Sequence, residues 1–232
     1  MRGVLNIYGI NVVTTEGNTW RFHRKITSRP FSEKNNQLVH DESVRQAQQM
    51  SAAWEKSSSN GVHTVLRFPS LPSELGCSDC SPHAETMKFA LHVIARAGFG
   101  VPFSWDVSTD DVWPNHTMSF RDAISSTLSH LIMIMVTPKP LLDNLPFATI
   151  RDSRVAYYEF GRYMRDLLER EKALGEKSTG QNLLAALVKY SADSDDARGG
   201  RILTDDEIIG NTFLFLIAGH ETTYQLFLPL RH

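Results

Sequence analysis

The run Ala218-Gly219-His220-Glu221-Thr222-Thr223 closes an apolar stretch, Phe213-Leu214-Phe215-Leu216-Ile217. An acid beside an alcohol is costly in such a place, because burying either group without a partner loses about 1–3 kcal/mol. Gly219 removes a side chain and lets a bulky group approach the backbone. Thr222 can return a hydrogen bond to the preceding turn, so the residues predict a small polar groove in an apolar wall. An acid and an alcohol in such a groove are able to pass protons. Two plainer readings stand beside this one. Glu221-Thr222 is also a common dipeptide on helices that do no chemistry. His220-Glu221 opens the His-Glu-x-x-His pattern of helical zinc sites, but position 224 is Tyr, so the second ligand is missing and no metal site is expected.

A second constellation lies far upstream. In Glu16-Gly17-Asn18-Thr19-Trp20-Arg21-Phe22-His23-Arg24-Lys25, Trp20 and Arg24 are four apart and share one helix face. An indole N–H and a guanidinium there are two directed donors suited to carboxylates. A basic surface helix packed through its tryptophan is the alternative.

Together these stretches resemble the cytochrome P-450 family of heme-thiolate monooxygenases. The tract Tyr8-Gly9-x-Asn11-Val12-Val13-Thr14-Thr15-Glu16-Gly17 is similar to fungal microsomal members. The resemblance implies that Trp20 and Arg24 contact a heme propionate, and that Ala218, Gly219, Glu221, Thr222 and Thr223 lie on a central helix over the distal face of the heme. Residues 87–100, ending Arg96-Ala97-Gly98-Phe99-Gly100, also resemble the family helix between these two. Three stretches in the right order make the match specific, and it covers nearly the whole chain.

The resemblance further implies oxygen insertion from O2 into a small apolar or aromatic substrate, with electrons from NADPH through a reductase. Ala218 and Gly219 then belong to the cofactor pocket with Trp20 and Arg24, while Glu221 and Thr222 relay protons. The family's thiolate loop is not matched: no Phe-x-x-Gly-x-Arg-x-Cys-x-Gly pattern occurs, and the cysteines, Cys77 and Cys80, lie upstream. Glu42 and Arg45 form a Glu-x-x-Arg match, too early in the chain, and are read as chance. The expected fold is therefore mainly α, the distal helical portion of the cytochrome P-450 fold, with residues 1–232 a partial domain and chemistry expected only in a longer form. The competing expectation is a noncatalytic helical fragment, or an interaction surface without heme.

Composition fits a piece of a larger globular enzyme. The 41% hydrophobic content suits a packed core, and a formal net charge of −2 gives no reason to propose nucleic acid as a partner. Two cysteines suit a reducing compartment, and Cys77-Ser78-Asp79-Cys80 has redox or half-zinc spacing but reads better as a plain loop. Full-length relatives are expected on the cytosolic face of the endoplasmic reticulum membrane. This chain shows no anchor at its start, which points to the cytoplasm for the fragment. Leu131-Ile132-Met133-Ile134-Met135-Val136 is too short to span a bilayer and reads either as a core helix or as a substrate-access lid that touches the membrane. Asn115-His116-Thr117 is a glycosylation sequon that would go unused on a cytosolic face.

Helices are expected almost throughout. Apolar spacing and breakers predict them over 33–56, from 82 to about 100, over 120–136, over 151–174 and over 183–190, with 191–200 a surface loop. Thr204 and Glu207 have capping-box spacing, and Asp205 and Asp206 add charge favoured at a helix start. From there the pattern runs unbroken to Pro229, a rod of roughly 35 Å.

Overall fold

A computed structural model describes residues 5–57, 82–105, 112–144, 147–178, 180–195 and 201–227. For 57, 82–84, 144, 176, 194–195, 221 and 223–227 it describes the backbone alone. The described elements are helical: α1 (Gly17–Thr27), α2 (Glu33–Ser57), α3 (Pro82–Phe99), α4 (Phe120–Ser129), α5 (Leu131–Val136), α6 (Lys139–Asn144), α7 (Ala148–Leu174), α8 (Leu183–Asp195) and α9 (Asp205–Phe227). Cys77 and Cys80 lie outside the described residues.

The centre of the fold is the crossing of α3, α4, α7 and α9. Phe99, Phe120, Phe160 and Phe213, one from each helix, are buried together, with Phe120 to Phe160 and Phe160 to Phe213 each 6.0 Å between ring centres. Full burial of each such ring contributes about 1.5–3 kcal/mol. α3 runs along α9 on one side and α2 on the other, and α4 lies on α7. Glu42 and Arg45 form an ion pair within α2, 2.5 Å at Nη2–Oε1, and Arg45 Nη2 also reaches Phe103 O at 2.8 Å.

The start of α9 is built as its residues predict. Thr204 N–H donates to Glu207 Oε2 at 2.9 Å and Glu207 N–H donates to Thr204 Oγ1 at 3.3 Å, a closed capping box. Thr204→Ala removes one arm and should lower stability by about 1 kcal/mol in urea denaturation, while Thr204→Ser should cost little.

Two expectations about element bounds are corrected. The helix expected over 120–136 breaks at His130, where φ −100° and ψ 12° leave the helical basin. At the break Ser126 O is shared, 2.9 Å from the His130 ring Nδ1 and accepting the His130 N–H at 3.0 Å. Pro138 and Pro140 follow the end of α5 and open α6. Proline is tolerated in a first turn, and Pro138 O accepts the Leu141 and Leu142 N–H groups at 2.9 and 3.0 Å. Finally, α8 continues to Asp195, through the first half of the expected surface loop. Ser191 is buried there because its Oγ accepts the Leu203 N–H at 2.7 Å and ties α8 to the approach to α9.

α5 packs into the core on one face only. Leu131 and Ile134 are buried, whereas Ile132 and Val136 are 78% and 72% exposed. Among the described residues no helix is long and apolar enough to cross a membrane.

Candidate functional site

The inner face of α1 is His23, Ile26 and Thr27, all buried. That orientation leaves Trp20 and Arg24 on the outer face, side by side, with the Arg24 guanidinium carbon 5.6 Å from the Trp20 ring centre. Trp20 is 40% exposed, so the indole edge and the guanidinium are both open to a ligand. Their shared face was legible in the four-residue spacing.

What holds α1 in place was not legible. His23 is fully buried, and its Nε2 lies 3.1 Å from Glu207 Oε1 while its Nδ1 lies 3.1 Å from Asn211 Nδ2. The Asn211 amide can be turned only one way. Its Oδ1 accepts the Val12 N–H at 2.9 Å and its Nδ2 donates to Glu207 O at 2.6 Å. Hence His23 Nδ1 accepts and Nε2 donates. Arg201 Nη2 donates to the same Glu207 oxygen. Burial pushes the Glu207 carboxyl up, but the Thr204 N–H, His23 and Arg201 outweigh it and hold the group below the usual carboxylate range. The cap of α9 is thereby also the anchor of α1. Contacts between residues 184 and 188 positions apart leave no trace in helical periodicity.

Further along α9, Ala218 and Thr222 are exposed and one turn apart on one face. Thr222 Oγ1 donates to Ala218 O at 2.6 Å, the back-bond anticipated from the sequence. Gly219 lies on another face. A Cβ built there would come 2.3 Å from Ile94 Cδ1, so the missing side chain admits α3. The side chains of Glu221 and Thr223 lie outside the described residues. An apolar cavity of about 470 Å³ adjoins this end of α9, lined by Phe31, Val39, Ile94, Phe215, Ala218 and Gly219 among others. Phe31 and Phe215 meet across its edge with ring centres 5.2 Å apart. Asn211 and Thr222 are eleven residues apart, about 16 Å along the axis, so the anchor of α1 and the Ala218–Thr222 face occupy different stretches of one rod.

The described residues form a helical arrangement with paired donors on α1 and an alcohol on α9, and comparison with known proteins identifies its class. The cytochrome P450 family description matches residues 6–225. Cytochrome P450 monooxygenase 124 of Postia placenta is 32% identical over 95% of this chain, and a cytochrome P450 monooxygenase of Arthrobotrys oligospora is 31% identical over 99%. The chain spans 39% and 40% of the lengths of these two relatives. Among solved structures, that of retinoic acid bound cyanobacterial CYP120A1 aligns with a TM-score of 0.54 at 16% identity, over 93% of this chain and 40% of the other. This chain belongs to the cytochrome P450 family.

Proposed function

We propose that the chain forms the distal helical part of a heme-dependent monooxygenase that inserts one oxygen atom of O2 into a small apolar or aromatic substrate. The observation that carries this reading is the exposed Ala218–Thr222 face, with an alcohol whose proton is already engaged on the backbone of the previous turn. Family membership implies heme, and the described residues fit it. Trp20 and Arg24 offer open N–H donors to propionate carboxylates. Ala218 is small enough to leave the face of α9 clear for a flat group. When bound, the cofactor would supply oxygen binding and O–O cleavage chemistry, which a cysteine thiolate favours by electron donation.

The tasks of this chain's residues follow from their chemistry. Arg24 and Trp20 orient the cofactor edge. Thr222 holds a proton at Oγ1 and can turn it from Ala218 O toward the pocket, and Glu221, one residue earlier, exchanges protons with solvent through water. Apolar neighbours such as Phe215 keep other water away. Electrons come from NADPH through a reductase, and the working enzyme sits on the cytosolic face of the endoplasmic reticulum membrane.

The test is a chimera in which this chain replaces the matching part of the Postia placenta relative. Thr222→Ala should leave heme per polypeptide unchanged and lower product formed per NADPH consumed by at least about tenfold, whereas Thr222→Ser should keep most of it. Arg24→Ala should instead lower heme per polypeptide. Unchanged coupling in Thr222→Ala would leave Thr222 as a helix-shaping residue only.

A further inference from the structure

The segment between α3 and α4 gathers three cations around one buried imidazole. Arg45 Nη2 and Gln46 Nε2 donate to Phe103 O at 2.8 and 2.9 Å, Arg121 Nη2 to Ser104 O at 2.6 Å, and Lys88 Nζ to Trp105 O at 2.9 Å. His92 of α3 lies among them, fully buried, edge-on to the Phe103 and Trp105 rings.

The protons in this cluster can be located from its hydrogen bonds. His92 Nδ1 is 2.9 Å from Gln46 Oε1. Gln46 cannot be flipped, because its Nε2 already donates to Glu42 Oε1 at 2.8 Å as well as to Phe103 O. Gln46 Oε1 is therefore the acceptor and His92 Nδ1 the donor. Burial, then the positive fields of Arg121, Lys88 and Arg45, push the His92 pKa down to about 3, so the ring is neutral and its lone pair is on Nε2. That nitrogen is buried and meets no donor among the described residues.

His92 lines a cavity of about 400 Å³ between α3, α4 and α9. The wall includes Lys88, Arg121, Ser125, Ser129 and His220, with Leu91 and Leu128 as its apolar part. Asp122 also lines it, with Oδ2 accepting from Ser119 Oγ at 2.8 Å. His220 is buried, whereas Ala218 and Thr222, two residues away on either side, are exposed. At about 100° per residue the cavity is thus on the opposite side of α9 from the proposed oxygen face. An occupant that completes the cavity must donate a hydrogen bond to His92 Nε2. It must also suit the positive field of Lys88 and Arg121, which opposes an ammonium donor and favours a carboxylate.

We propose that this cavity binds a small hydroxycarboxylate, its hydroxyl donating to His92 Nε2 and its carboxylate facing Arg121 and Lys88. The site is separate from the monooxygenase reading and does not depend on it. Titration calorimetry on the 232-residue chain with malate and with succinate isolates the hydroxyl, since the two differ by that group alone. Malate should bind, and succinate should bind at least about tenfold more weakly, because it leaves the buried nitrogen unpaired. Ser125→Phe fills the cavity from an exposed lining position and leaves the His92–Gln46 bond untouched, so it should abolish malate binding without moving the thermal transition. His92→Leu should reduce malate to the level of succinate. The nitrogen-15 signal of His92 Nε2 should move on adding malate and stay still on adding succinate. Equal binding of the two acids, malate binding that survives Ser125→Phe, or binding of neither acid would each overturn the proposal, the last leaving water as the occupant.

Discussion

Gly210→Ala should destabilise the fold by at least about 3 kcal/mol, the upper end of what forced overpacking costs. A Cβ at Gly210 would lie 2.6 Å from Gly9 O, 2.7 Å from Gly9 C and 2.8 Å from Ile10 O. All three are backbone atoms, so no rotamer change relieves the clash. Gly9 is in the same position from the other side, its Cβ falling 1.9 Å from Asp206 O. Relief would require the segment before α1 to lift off α9, and that segment is tied down. Tyr8 Oη donates to Tyr157 O at 2.8 Å, Tyr157 Oη returns a bond to Ile7 O at 3.0 Å, and the two rings stack with centres 4.8 Å apart. Gly98→Ala is the matched control. It is also a helical glycine, a Cβ there meets nothing within 4 Å, and better helix propensity should make the change neutral or stabilising by about 0.5–1 kcal/mol. Chemical denaturation of the three proteins decides the matter, and equal midpoints for Gly210→Ala and the parent would show that the crossing of Gly9 and Gly210 is not tight in solution.

The Gly9–Gly210 crossing also marks where sequence reading stops. Features set within one turn of helix were legible: the Thr204–Glu207 box, the shared face of Trp20 and Arg24, and the Thr222 back-bond are all fixed by spacing of three or four residues. The continuous apolar pattern gave α9 nearly its full length. Features that depend on a distant partner were not. Gly219 reads as room for a ligand, and the group that faces its missing Cβ is Ile94 of α3, a neighbour that no local pattern names. His23 reads as one polar residue in a basic helix, yet it joins two elements nearly the whole chain apart. His92 gave no signal, because its significance comes from the Gln46 amide and the cavity beside it. The break at His130 was missed for a different reason: the apolar periodicity continues through it, and the side chain to backbone contact made there lies outside any hydrophobic pattern.

His23→Leu tests the buried link directly. Leucine fills much of the imidazole volume, so the expected loss of about 2–4 kcal/mol comes mainly from the polar groups left behind. Glu207, whose side chain is 5% exposed, would keep Arg201 and the Thr204 N–H but lose the His23 donor, and Asn211 Nδ2 would keep only Glu207 O. His23→Gln can still donate to Glu207 and should lose less. The pH dependence separates the electrostatic part from packing. The folded Glu207 carboxyl is held below its ordinary value, so its contribution is fully present above the unfolded pKa of about 4.3 and is lost as pH falls through the folded value. Removing His23 takes away one of the groups that hold it there. The stability gap between parent and His23→Leu should therefore be widest near neutral pH and narrow as pH falls below about 4. Loosening α1 should also misplace its outer face, so in the chimera His23→Leu should lower heme per polypeptide although His23 itself points away from Trp20 and Arg24. A gap that stays constant across pH, with heme content unaffected, would reduce His23 to a packing residue and remove its role in fixing α1 against α9.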